Sequence, residues 1–211
     1  MSAVVKNAGP GRPKDLEKRA AILNVAKRLF TTQGFDGTSM DAIAAAAGVS
    51  KLTVYSHFQD KERLFTAAVE CVCAEQMPAE IFMADLKGPI RKQLITIARA
   101  FFALITSQEA VAVHRTIVAN ARQSPKLAEL FWEAGPKRTQ RAFESFLRDE
   151  VHAGKLEIPE LHRASTQFFC LLKGELHARM EFGCCGEVGE QEIDAHINAT
   201  VDFFLRAYTP R

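Results

Sequence analysis

Residues 38–64, TSMDAIAAAAGVSKLTVYSHFQDKERL, constrain this chain more than any other stretch. Thr38 is placed to cap a helix, because its hydroxyl can accept an unpaired backbone N–H of the first turn. Asp41, three residues on, completes a pairing like a capping box and puts negative charge at the positive helix end. Met40, Ile43, Ala44 and Ala47 share one face at helical spacing. Gly48 stops the helix where a left-handed backbone is cheapest, and Ser50 caps the next one. In that second helix Val54 and Phe58 form the buried side. Lys51, Thr53, Tyr55, Ser56 and His57 are left outward. Asp60 caps a third helix, with Lys61 in its first turn, where backbone N–H groups also favour a phosphate. The pattern is helix, tight turn, helix. Such a turn also serves as a plain corner in helical proteins. An outer face of a cation, hydroxyls, a phenol and an imidazole is suited instead to base edges and phosphates in a DNA groove.

Residues 15–64 resemble the DNA-binding domain of the tetracycline-repressor (TetR) family. The resemblance is carried by Ala26, Leu29 and Phe30, Gly34-Phe35, Thr38-Ser39, Ile43-Ala44, Ala47-Gly48-Val49-Ser50, Tyr55, His57-Phe58, and Lys61-Glu62 with Leu64. It implies DNA contacts from Thr38, Ser39, Ser50, Lys51, Leu52, Thr53, Tyr55, Ser56, His57 and Lys61. Leu52 departs from the pattern, which often has glycine there. It either meets a thymine methyl or packs. Further on, Ser124-Pro125 with Leu127, Ala128 and Phe131, then Glu133-Ala134-Gly135-Pro136, resemble the C-terminal part of an AefR-like branch of the same family.

Charge is distributed as DNA attraction requires. The 211-residue chain has a net charge of only +2, yet residues 1–63 hold 10 Lys/Arg against 6 Asp/Glu. The remainder is slightly acidic, so the basic excess sits with the helix-turn-helix. Gly9-Pro10-Gly11-Arg12-Pro13-Lys14 reads as a flexible basic arm over residues 1–14, from which Arg12 can enter a minor groove. No apolar run approaches the length of a membrane span, and the N-terminus has no signal-peptide core. The expectation is a cytoplasmic protein without membrane contact. Five cysteines at spacings that match no zinc or redox motif are expected to be reduced thiols.

The rest of the chain reads as helix between Gly and Pro breaks, and no stretch alternates with period two. Helices are expected at 15–33, 60–76, 109–122, 126–134, 137–152, 160–182 and 190–207, with one long apolar stripe from Ile90 to Ile105. The fold class is therefore all-α: a helix-turn-helix domain at 15–64, then a helical domain at 65–211, for which the TetR resemblance implies ligand binding and dimerisation.

Most of the 15 phenylalanines fall in that second part, including the pairs Phe101-Phe102, Phe168-Phe169 and Phe203-Phe204. Adjacent residues on a helix point about 100° apart, so each pair addresses two surfaces. In the resembled family a pocket lies between the central C-terminal helices. Its candidates here are Ile97, Phe101, His114, Ile117, Trp132, Phe169 and His177, with the histidines and Trp132 as polar handles for a largely apolar small molecule. Leu161, Phe168, Leu172, Ile193, Ile197, Val201 and Phe204 place apolar groups on several sides of the last two helices. Two such helices from each of two chains make a four-helix interface, which predicts a homodimer.

No catalytic cluster, phosphate-binding glycine loop, cofactor motif or metal site is expected. His177 and Glu181 share a helix face but have no third ligand at a diagnostic spacing. Cys71 and Cys73 point apart on their helix, while Cys184 and Cys185 sit between glycines. The expectation is a non-enzymatic, ligand-responsive regulator, a repressor released from a palindromic operator. Its two reading helices would be spaced by about 34–36 Å for half-sites one turn apart. Two alternatives are a DNA-binding regulator switched by cysteine oxidation and a helical enzyme whose helix-turn-helix is only structural.

Overall fold

The computed structural model describes residues 11–83, 88–184 and 188–210, with side chains from residue 15 onward. The described residues form ten α-helices and one 3₁₀ turn, with no strand among them. They group into two compact units, Met1–Cys71 and Val72–Arg211, divided inside the fourth helix.

In the first unit, α1 (Gly11–Gly37) buries Ile22, Leu23, Ala26, Leu29 and Phe30. It starts at Gly11, so residues 11–14 of the expected flexible arm are helical. Residues 1–10 lie outside the described residues, as does the Arg12 side chain. Gly34 breaks α1 with φ 72° and ψ 176°. The Thr38 hydroxyl donates to the Gly34 carbonyl at 2.7 Å, and Thr38 is 1% exposed. Thr38 is therefore not the cap of α2 (Met40–Ala46). Ser39 is, with its Oγ accepting from Ala42 N at 3.1 Å. At the far end Gly48, at φ 66°, reverses the chain, and the N–H groups of Gly48 and Val49 return to the carbonyls of Ala45 and Ala44. α3 (Lys51–Phe58) and α4 (Lys61–Gln76) follow. Phe30, Phe35 and Phe65 form an aromatic triangle with centroids 5.3–5.9 Å apart, which fastens α4 to α1.

In the second unit, a 3₁₀ turn (Ala79–Phe82) precedes α5 (Ile90–Thr106), α6 (Gln108–Asn120), α7 (Pro125–Ala134), α8 (Pro136–His152), α9 (Leu161–Phe182) and α10 (Glu190–Tyr208). The two prolines at first helical positions fit there because their missing N–H is not needed. No single described helix is long and apolar enough to cross a membrane. α5 and α6 together have that composition, but they bend by 62° at Ser107, which caps α6.

Four long helices, α5, α8, α9 and α10, enclose the core. Phe143 stands at its centre, 4.7 Å from Phe168 and 5.1 Å from Phe169 by ring centroid, while Phe168 is 5.0 Å from Phe204. Both members of the pairs Phe101-Phe102 and Phe168-Phe169 are buried. Only the third pair divides between two surfaces, with Phe204 1% and Phe203 60% exposed. α9 is kinked at Gly174, where φ is 45° and ψ −159°. At this kink His196 of α10 donates from Nε2 to the Leu172 carbonyl at 2.7 Å.

Candidate functional site

The reading helix is built from its caps inward. Ser50 Oγ accepts from Thr53 N at 3.1 Å and lies 2.8 Å from Thr53 Oγ1, so these two hydroxyls are engaged with each other and with the helix start. Val54, fully buried, and Phe58, 4% exposed, hold α3 to the unit. Arg19 of α1 lies over the Phe58 ring at 5.0 Å. Opposite them, Lys51, Leu52, Tyr55 and Ser56 are exposed. Ser56 Oγ donates to the Thr53 carbonyl, which leaves its lone pairs for an incoming donor. Lys51 Nζ pairs with Asp41 Oδ1 at 2.8 Å and also reaches over the Tyr55 ring. The Asp41 partner raises the Lys51 pKa, first by hydrogen bonding and then by charge. An ion pair exposed to this degree is weak, and a phosphate can replace the carboxylate.

Three residues expected to face DNA are held elsewhere. Thr38 is buried under α1, as described. Lys61 Nζ donates to the carbonyls of Phe35 (2.9 Å) and Thr38 (3.0 Å) and sits 4.2 Å from the Phe35 ring centroid. It ties α4 to the end of α1 instead of extending toward solvent. His57 has a side chain only 11% exposed, with Nε2 3.3 Å from Asp15 Oδ1 of α1. Its position one step round from Phe58 turns it under α1. Asp60 does cap α4, accepting from Arg63 N at 2.7 Å. The contacts of Asp41 with Lys51 and of Asp15 with His57 were not foreseen. Neither signal is local, since each partner comes from another helix.

The candidate effector residues divide by burial. Ile97, Phe101, Ile117, Phe169 and His177 are all below 10% exposed, and the Phe101 and Phe169 rings meet at a tilt with centroids 4.4 Å apart. Trp132 is 52% exposed and stands on the surface of α7, so it is no handle inside this unit. His114 joins His177 through a residue missing from the expected set, Glu181. His114 Nδ1 meets Glu181 Oε1, and His177 Nδ1 lies 3.8 Å from Glu181 Oε2. Arg115 donates to the Glu181 carbonyl, and His177 also hydrogen-bonds the Ile105 backbone. One carboxylate between two imidazoles thus braces α6 against the last turn of α9. Among the described residues no three such groups are disposed to hold a metal ion. A shallow surface depression at Asp202, Leu205, Arg206 and Thr209 includes none of the expected effector residues.

Burial pushes the His177 imidazole below its ordinary value of 6.5, although Glu181 opposes the shift; Lys173 and His114 add to it. The unfolded chain therefore binds the proton more readily than the folded one. His177 destabilises the fold progressively as pH falls through 6.5 toward the lower folded value, and it contributes nothing above that range. Unfolding measured from about pH 7.5 to about pH 5 should show a smaller loss of stability in His177→Gln than in the parent. Parallel slopes would remove His177 from the acid sensitivity.

The expected dimer residues lie mostly inside their own unit. Phe168, Leu172, Ile197, Val201 and Phe204 are at most 1% exposed, while Leu161 and Ile193 pack partly against the same core. The large apolar groups that these two helices present outward are Leu171, 37% exposed, Phe203 on α10, and Phe182 at the end of α9. Apolar periodicity alone does not say which of two sides faces the chain's own core. Cys170 and Cys184 are exposed, and Cys185 lies outside the described residues.

Comparison with known proteins gives these arrangements a family. Residues 22–68 match the bacterial regulatory proteins of the tetR family, and residues 92–210 match the C-terminal domain of AefR-like transcriptional repressors. The regulator AcrR of Shigella flexneri is 52% identical over 50 residues, 24% of this chain and 23% of that protein's length. The biofilm operon negative regulator IcaR of Staphylococcus aureus is 36% identical over 67 residues, 32% of this chain and 36% of IcaR. These stretches span a quarter to a third of the curated relatives. Solved structures match nearly end to end. A TetR-family regulator from Mesorhizobium loti superposes with a TM-score of 0.79 at 28% identity, covering 93% of this chain and 99% of that one. The flavonoid-responsive regulator FrrA gives 0.71 at 36% identity, covering 92% and 98%. The relatives are regulators rather than enzymes. With the helix-turn-helix at one end, the AefR-like match over most of the remainder and solved relatives aligned along nearly the whole length, this chain belongs to the TetR family of transcriptional regulators.

Proposed function

We propose that this chain is a cytoplasmic homodimeric repressor that leaves a palindromic operator when a small, largely apolar effector binds. The observation that carries the DNA half is the exposed side of α3, where Lys51, Leu52, Tyr55 and Ser56 stand clear of a helix held by Val54 and Phe58. The first unit supplies this face, with Ser39, Ser50 and Thr53 beside it. The second unit takes the effector and forms the dimer through the outward sides of α9 and α10, at Leu171 and Phe203.

The effector site opens around Ile97, Phe101, Ile117 and Phe169, with the His114–Glu181–His177 array as its polar edge. Ile97, Phe101 and Phe169 belong to one packed core and Ile117 is buried, so effector binding selects a conformer in which these side chains part. That conformer has lower affinity for DNA. FrrA, 36% identical, is flavonoid-responsive, which makes flavonoids the first effector class to test.

Gel retardation with duplexes selected from a random library tests the first half. The expected result is an enriched palindromic site for which the logarithm of the affinity falls linearly with the logarithm of salt concentration. The same complex, titrated with a flavonoid panel, should release DNA. Failure to retain any duplex at low salt would overturn the DNA-binding reading, and release insensitive to all apolar aromatics would overturn the effector class.

A further inference from the structure

We infer that Leu52 reads the 5-methyl group of a thymine in the major groove, and so fixes one base of each half-site. This rests on the proposed DNA binding and assigns the chemistry of one contact within it.

Leu52 is 79% exposed, more than any other large apolar residue described in the chain. It lies about 200° around α3 from Val54, the residue that anchors the helix, and shares the outermost line with Ser56 one turn later. Intramolecular packing therefore does not account for it. Four of its polar neighbours already have partners within the protein. Ser50 and Thr53 share a hydrogen bond at the cap, Ser56 donates to the Thr53 carbonyl, and Lys51 is paired with Asp41. The outermost point of the reading helix is thus an unengaged isobutyl group on a polar surface within a basic segment.

A DNA groove offers such a group one apolar partner. Only thymine places a methyl in the major groove, while the other bases present donors and acceptors there. A leucine against those polar edges would desolvate them without a hydrogen bond, which disfavours them. Leu52 accordingly both rewards thymine and penalises the alternatives at the same position.

The test begins with the site enriched from random duplexes. It is resynthesised with deoxyuridine for thymidine at single positions, which removes the methyl and leaves every hydrogen-bonding group in place. The parent protein should lose about fourfold in affinity per half-site at one position, the scale of one buried methyl group. Leu52→Ala should bind the thymine and uracil duplexes equally, while keeping the parent's salt dependence and its protection of the remaining bases. Leu52 is exposed, so the variant folds, and unchanged thermal unfolding verifies this. Equal affinity of the parent for thymine and uracil at every position would overturn the inference, and so would a uracil penalty that survives in Leu52→Ala. In both cases DNA is still bound and the function stands. Failure to enrich or retain any duplex would instead overturn the DNA-binding reading, and this inference with it.

Discussion

Truncating Phe143 to alanine should lower the stability of the Val72–Arg211 unit by about 3–5 kcal/mol, among the largest effects of any single side chain here. Phe143 is fully buried in α8. Its ring lies 4.7 Å from Phe168, 5.1 Å from Phe169, 5.9 Å from Phe146 and 6.4 Å from Phe204. It therefore touches two separate helices at once, α9 and α10. Deleting the ring removes buried apolar surface and leaves a cavity whose walls belong to several helices, so no single side chain can relax to fill it. Phe143→Leu keeps much of the volume and should cost less than half as much. Denaturant unfolding checks both, with a lower midpoint and an unchanged slope as the expected signature. A loss below about 1 kcal/mol for Phe143→Ala would mean that the core collapses around the site and that the cluster does not depend on its centre.

The parts of this molecule that were legible in the sequence are those with local causes. Ser50 and Asp60 cap α3 and α4 through contacts three residues away, and Gly48 turns at the positive φ its position demands. Gly-Pro breaks delimited the later helices to within a few residues. The misreadings share the opposite property. Thr38 and Ser39 are both hydroxyl residues next to a helix start. What decides between them is the Gly34 carbonyl, turned toward Thr38 by a backbone conformation no pattern reveals. Lys61 reads as a phosphate ligand until the carbonyls of Phe35 and Thr38, more than 20 residues earlier, take its ammonium. His57 is likewise covered by α1 at Asp15. On α9 and α10 periodicity identified apolar residues but not their partners. The residues expected between two chains, such as Phe168 and Ile197, fill the core of one, and Leu171 and Phe203 are left outward. The spacing of His177 and Glu181 on one helix face was legible, but the pairing of Glu181 with His114 was not, because His114 arrives from another helix.

Gly174→Ala should destabilise the same unit by about 2–4 kcal/mol, from two causes that act together. The first is the backbone. A φ of 45° with ψ −159° lies in a region essentially reserved for glycine, and an L side chain held there costs about 1–3 kcal/mol. The second is space. A Cβ on Gly174 would stand 3.2 Å from His196 Cε1. That imidazole is not free to retreat, because its Nε2 donates to the Leu172 carbonyl at 2.7 Å and its ring lies 5.6 Å from Phe102. Displacing it breaks the hydrogen bond at the kink. Gly88→Ala is the matching control. Its built Cβ makes only an ordinary 3.8 Å contact with Lys92 and its φ is not left-handed, so the change should be within about 0.5 kcal/mol. Because the clash is with His196, adding His196→Ala to Gly174→Ala should cost less than the sum of the two single losses, while the backbone strain persists. If thermal unfolding instead found Gly174→Ala no worse than Gly88→Ala, α9 would have to straighten through residue 174 without loss, and the His196 contact would not be what holds its bend.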